Sequence, residues 1–157
     1  MRIVVVRHGH AAPKNTWRGV DADRPLVARG RRQADRLTKL IGAQRPNRVI
    51  SSPALRCVQT VQPLADKASV TLQLSDQLST SAGPAAAELC QRLVSSEPAD
   101  STVVLCTHRE VLVQLLPMLS KQFNSKLDHR PPGAKGGAWI LSFQTTKRAK
   151  IKYSPPP

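Results

Sequence analysis

Two histidines stand where short apolar runs stop. "IVVV" at Ile3–Val6 leads into Arg7, His8 and Gly9, and "TVVLC" at Thr102–Cys106 leads through Thr107 into His108. A third stretch, "RVISSPALR", ends on Arg56. An imidazole pair flanked by two guanidiniums suits a tetrahedral phosphate dianion. Arginine gives forked, charge-assisted bonds to phosphoryl oxygens, and helix N-termini nearby add backbone donors. Gly9 has no side chain, so an oxyanion is expected to approach its backbone closely.

These residues need elements that bring them to one place, and the chain reads as an alternation that does so. Ile3–Val6 is expected as a fully buried strand. Ala34, Leu37, Leu40 and Ile41 recur at helical spacing, with Gly42 as the stop. Arg48–Ser52 reads as a strand, and a helix follows from about Pro53 to Lys67 with Leu55, Val58, Val61 and Ala65 on one face. Pro53 suits a first turn, and Pro63 is expected to kink the end. Val70–Leu74 alternates like an outer strand, and Pro84–Ser95 reads as helix. After the strand Thr102–Cys106, Val111, Leu112, Leu115, Leu116 and Leu119 mark the next helix. Gly137–Phe143 and a weaker run at Lys150–Tyr153 read as the last strands. Strands alternating with helices predict an α/β fold: three layers, a mostly parallel sheet with helices on both faces. The expected division is one domain over residues 1–153, with 154–157 ("SPPP") as a loose tail. In such sheets ligands sit beyond the carboxyl ends of the strands. His8, His108 and Arg56 all fall there, so residues 100 positions apart are expected to share one crevice.

Charge agrees with an anionic ligand. The 157 residues carry 24 Lys and Arg against 10 Asp and Glu, a formal net charge of +14. That attracts nucleic acid, acidic membranes or phosphorylated molecules without choosing among them. Aromatics are 3% of the chain, which leaves few base-stacking platforms and argues against nucleic acid as the partner. No apolar run approaches the roughly 20 residues of a membrane span, and Ile3–Val6 is too short for the apolar core of a signal peptide. Cys57, Cys90 and Cys106 have no C-x-x-C spacing. They are expected as reduced, buried thiols in a cytoplasmic protein.

The motifs resemble a known family. "RHGHA" looks like the RHG signature of the histidine phosphatase superfamily, the phosphoglycerate mutase-like proteins. "RPLVARGRRQA", "SSPALRCVQT" and "VVLCTH" are similar to three further family stretches, in the right order across residues 2–108. The short length looks most like the small bacterial phosphohistidine phosphatases. "KGGAWIL" resembles the phosphatase half of actinobacterial Nudix–phosphatase fusions. The resemblance implies a phosphoglycerate mutase-like fold and a metal-independent phosphatase without a cofactor. His8 would be the nucleophile, taking the phosphoryl group onto a ring nitrogen. Arg7, Arg56 and His108 would hold its equatorial oxygens. The implied substrate is a phosphorylated protein histidine, nucleotide or small metabolite. The competing class is a non-catalytic protein of this fold that holds nucleic acid or a phosphorylated partner.

Departures from the family pattern are informative. Arg109 follows the second histidine where relatives usually carry Gly. Thr80 stands where many carry the glutamate that protonates the leaving group. Asp21 is the first candidate for that general acid, with Asp23, Asp76 and Glu88 as alternatives. Missing the acid favours leaving groups that depart without help. His10 and His129 read as loop residues, and no carboxylate or cysteine completes a zinc spacing with them. Cys106 reads as packing, and Arg29, Arg31, Arg32 and Arg36 as a solvated helix face. Trp17 would cover the pocket mouth or plug its own loop.

Overall fold

Ile3 to Val6 offer no polar face, and the chain buries all four completely. In the computed structural model, which describes residues 1–157, they form the centre of β1 (Arg2–Arg7). Five more strands follow: β2 (Arg48–Ser51), β3 (Leu72–Leu74), β4 (Thr102–Thr107), β5 (Ala138–Thr145) and β6 (Arg148–Ser154). They make one sheet in the order β3-β2-β4-β1-β5-β6. The first four pair in parallel, and β5 runs antiparallel to both β1 and β6.

The helices are α1 (Ala28–Gly42), α2 (Leu55–Ala68), α3 (Gly83–Ser96) and α4 (Arg109–Gln122). Successive β1 residues point to opposite faces of the sheet. Ile3 and Val5 join a core with α3 and α4, built around Leu93, Leu112, Leu116 and Trp139. Val4 and Val6 join a second core with α1 and α2, built around Leu37, Ile41, Val61 and Leu64. The three layers of the expected α/β fold are thus present, with both faces of the sheet covered.

Several elements differ in detail from the pattern. The helix expected from Ala34 begins at Ala28, because its first turns bury Gly30 and Gln33 rather than apolar residues. Leu40, assigned to the apolar face, is 48% exposed, and Thr38 is buried in its stead. Helix α2 begins at Leu55 and continues past Pro63 to Ala68. Its buried positions include Arg56, Cys57 and Thr60 as well as Val61 and Ala65. The stripe is therefore partly polar, which apolar periodicity cannot reveal. Strand β6 extends to Ser154, and the carbonyl of Pro157 lies 3.4 Å from Arg36 Nη1.

Candidate active site

Strand register brings the two histidines together. Arg7 pairs with Thr107, so β1 and β4 release His8 and His108 side by side. The His8 amide still donates to the Thr107 carbonyl at 3.1 Å. The rings lie edge to face, with centroids 5.4 Å apart and planes at 65°.

His8 is 8% exposed. Its Nδ1 lies 2.8 Å from the Gly9 carbonyl. A carbonyl only accepts, so Nδ1 carries the proton and Nε2 keeps its lone pair. Burial pushes the imidazolium pKa down, against the Gly9 hydrogen bond. His108, Arg56 and Arg7 push the same way as burial, and the result is about 3. At neutral pH the ring is uncharged.

His108 is held at both nitrogens. Nδ1 lies 3.3 Å from Arg56 Nη2 and Nε2 lies 2.8 Å from Ser52 Oγ. A guanidinium only donates, so Nδ1 accepts and Nε2–H donates to the serine. Ser52 is the first residue past β2, at the same sheet edge.

Arg56 is 3% exposed. It donates through Nη1 to the Asp21 carbonyl at 2.7 Å and through Nη2 to Asp21 Oδ2 at 3.0 Å. Arg7 donates through Nη1 to the Gly133 carbonyl at 2.6 Å. The Nε of each guanidinium is buried and has no protein partner. Buried donors ordinarily find acceptors, so a bound oxyanion would complete both.

Arg7, His8, Asp21, Arg56, Thr80 and His108 all line one cavity of about 250 Å³. Asp21, the first candidate for the proton donor, lies on this cavity with its carboxylate engaged. Its carboxylate pairs with Arg56 and, at 3.1 Å, with Arg24. Burial raises its pKa, but Arg56, then Arg24 and Lys14, outweigh that and hold it below the usual carboxylate range. A carboxyl kept ionised in this way is a poor acid. Gly9 also differs from expectation and does not line the cavity. Its amide donates to Thr60 Oγ1 at 3.0 Å, and a Cβ there would stand 3.1 Å from the Gly30 carbonyl oxygen. Its missing side chain lets the loop after β1 lie on α1.

The loop residues resolve as well. His10 is held by Gln33, whose Oε1 accepts from the His10 amide at 3.0 Å and lies 2.8 Å from Nδ1. Trp17 braces its own loop, donating to the Val20 carbonyl at 2.9 Å. His129 stacks on Tyr153 with centroids 4.3 Å apart. Cys57 Sγ lies 3.6 Å from His108 Nε2, and all three cysteines are free and buried. No three His, Cys, Asp or Glu side chains gather where they could hold a metal ion. Sequence reasoning did not single out Ser52, Thr60 or Gln33 as supports. The available signal was that Ser52 follows a strand end, as His8 and His108 do. It also missed Lys14 and Lys135 on the cavity wall.

Known proteins resemble this chain in sequence and fold. The 8-oxo-(d)GTP phosphatase of Mycolicibacterium smegmatis is 29% identical over 159 residues, covering 99% of this chain and 48% of that protein. The chain thus spans about half of that relative's length. The fold is shared with the protein histidine phosphatase SixA complexed with tungstate (TM-score 0.79, 18% identity, 99% of this chain and 97% of that one). It is also shared with mycobacterial glucosyl-3-phosphoglycerate phosphatase Rv2419c (TM-score 0.74, 17% identity, 98% and 97%). The family model for branch 1 of the histidine phosphatases matches residues 3–83, and the chain belongs to the histidine phosphatase superfamily.

Proposed function

We propose that the protein is a phosphatase that works through a phosphohistidine on His8 Nε2. The observation that carries this reading is the His8 tautomer, fixed by the Gly9 carbonyl so that a lone pair is free in a cationic cavity. The lone pair attacks phosphorus, the P–N bond forms, and the bond to the leaving group breaks. Water then attacks the phosphohistidine, phosphate leaves, and the electron pair returns to Nε2. Arg7, Arg56 and His108 offset the charge on the equatorial oxygens, which is where most of the catalysis in phosphoryl transfer arises.

Asp21 acts in this reading as a positioning residue for Arg56. Its ion pair fixes the guanidinium against His108. The relatives include a protein histidine phosphatase and an 8-oxo-(d)GTP phosphatase, so the substrate classes are a phosphorylated protein and a small phosphorylated molecule. The body over residues 1–153 carries the activity. Three unpaired buried thiols suit a reducing compartment such as the cytoplasm, and no helix is long and apolar enough to cross a membrane.

The test is quenched turnover of a ³²P-labelled aryl phosphate in EDTA. Label that stays on the protein in alkali and is lost in acid supports the phosphoramidate on His8. Label that survives acid overturns it, as does retention of polyanions with no turnover.

A further inference from the structure

The cavity holds more positive charge than one phosphoryl group requires. Six cationic side chains line it, Arg7, Lys14, Arg24, Arg56, Arg109 and Lys135, against the carboxylates Asp21 and Glu110. Arg24 and Arg56 are paired with Asp21. Lys14, Arg109 and Lys135 have no carboxylate within 4.0 Å. Once Arg7, Arg56 and His108 hold a transferring group, these three remain.

Their crowding is costly in the free protein. Burial lowers the pKa of the Lys135 ammonium, and repulsion from Arg7, Arg24 and Arg29 lowers it further. Burial and then Arg109 act on Arg7 in the same direction. Clustered like charges without counterions mark a place that favours a second anion.

A second observation concerns the leaving group. Thr80 lies on the cavity wall and cannot donate a proton as an acid would, and Asp21 is held ionised by two arginines. An alkoxide leaving group needs a proton in the transition state, whereas a phosphate departs as a stable anion. The size of the site agrees. At about 250 Å³, with only two hydrophobic lining residues, it lies below the roughly 300–1,000 Å³ of pockets that enclose drug-sized organic groups.

We propose that the leaving group is itself a phosphate: the site removes the terminal phosphoryl group of an organic diphosphate, and Lys14, Arg109 and Lys135 hold the second phosphoryl group. The organic part projects from the cavity mouth and contributes little selectivity. This rests on the phosphatase reading. His8 Nε2 forms the P–N bond to the terminal phosphorus, and the P–O bond to the bridging oxygen breaks. That oxygen keeps the electron pair and leaves on the organic monophosphate. Water then releases inorganic phosphate from His8 and gives its proton to solvent.

The experiment compares kcat/KM for a nucleoside diphosphate, an alkyl monophosphate and 4-nitrophenyl phosphate, in EDTA at 150 mM salt, where unspecific attraction is screened. The diphosphate is expected to exceed the alkyl monophosphate by about 10²-fold or more, yielding a monophosphate and inorganic phosphate by ³¹P NMR. The double variant R109A/K135Q, with folding checked by thermal melting, is expected to lower the diphosphate to 4-nitrophenyl phosphate ratio by about tenfold or more. If 4-nitrophenyl phosphate turns over but the diphosphate is no better than the alkyl ester, the proposal is overturned and the phosphatase reading stands. Equal losses on both substrates in the double variant also overturn the subsite. If no substrate turns over, the phosphatase reading fails first.

Discussion

His8 and His108 occupy equivalent places on neighbouring strands, and their surroundings make them different reagents. Each follows the last residue of a parallel strand, and each is almost wholly buried. His8 spends one nitrogen on a backbone carbonyl and keeps the other free. His108 has both nitrogens engaged, by a serine and an arginine. A nucleophile needs an unoccupied lone pair, and a group that positions charge needs a fixed orientation. In the proposed mechanism the same side chain serves both purposes, because its tautomer is set by what it touches.

Breaking the first half of this contrast should have the largest effect. His8→Ala is expected to lower kcat by at least roughly 10⁴-fold, the scale seen when a nucleophile is removed, while thermal melting shows a folded protein. Turnover within tenfold of wild type would exchange the roles of the two rings. Arg56→Ala removes the donor that fixes His108 and offsets charge, and should cost roughly 10²–10³-fold in kcat/KM. Arg56→Lys should recover little of it, because an ammonium cannot reproduce the fork. Full rescue by lysine would show that only the charge matters.

The contrast also has a signature in stability. His8 titrates at about 3 in the folded chain, below its ordinary value of 6.5. Between those values the unfolded chain binds the proton and the folded chain does not. Stability therefore falls as pH drops through this window. By pH 4.5 the wild type should lose about 3 kcal/mol that His8→Gln does not lose, at roughly 1.36 kcal/mol per unit. Parallel urea-unfolding profiles for the two proteins would remove the desolvated imidazole from the account.

Smaller changes sharpen the comparison. Ser52→Ala leaves the Nε2–H of His108 buried without its acceptor and should lower kcat about tenfold, with no change in the acid lability of the labelled intermediate. Asp21→Asn breaks an ion pair whose carboxylate is 42% exposed. Such pairs contribute about 0.2–1 kcal/mol, so the expected loss is roughly fivefold or less and equal for aryl and alkyl phosphates. A loss confined to alkyl phosphates would return Asp21 to the role of proton donor.

The strands that end at the site were the legible part. β1 and β4 each carry a short unbroken apolar run and are followed by histidine, so buried parallel strands and their carboxyl-edge residues could be read directly. Helix α2 was less so, because Arg56, Cys57 and Thr60 point inward with Val61 and a hydrophobic pattern registers only the last of these. Asp21 was legible as a carboxylate near the site but not as a partner of Arg56. That depends on a loop folding over a helix 35 residues away. Gly9 was noticed for its missing side chain, but the space is filled by Gly30 and Gln33, a tertiary contact with no local signature. Pairing across long separations is decided by register and packing, and single-sequence patterns carry neither.

The segment from Gly133 to Gly137 clasps the end of β1. Arg7 Nη1 donates to the Gly133 carbonyl, the Arg7 amide donates to Gly137 at 3.0 Å, and the Gly136 amide donates to the Arg7 and His8 carbonyls at 3.0 and 3.2 Å. At Gly136, φ is +80° and a Cβ would meet the Gln33 amide at 2.9 Å, so glycine suits this contact. The consequence concerns the order of folding. β1 lies about 100 and 135 residues along the chain from its sheet neighbours β4 and β5. Closing such distant pairs is slow, and until the 133–137 segment docks Arg7 lacks both the Gly133 carbonyl and its backbone bond to Gly137. The surroundings of His8 are thus completed only when the most distant pairings close.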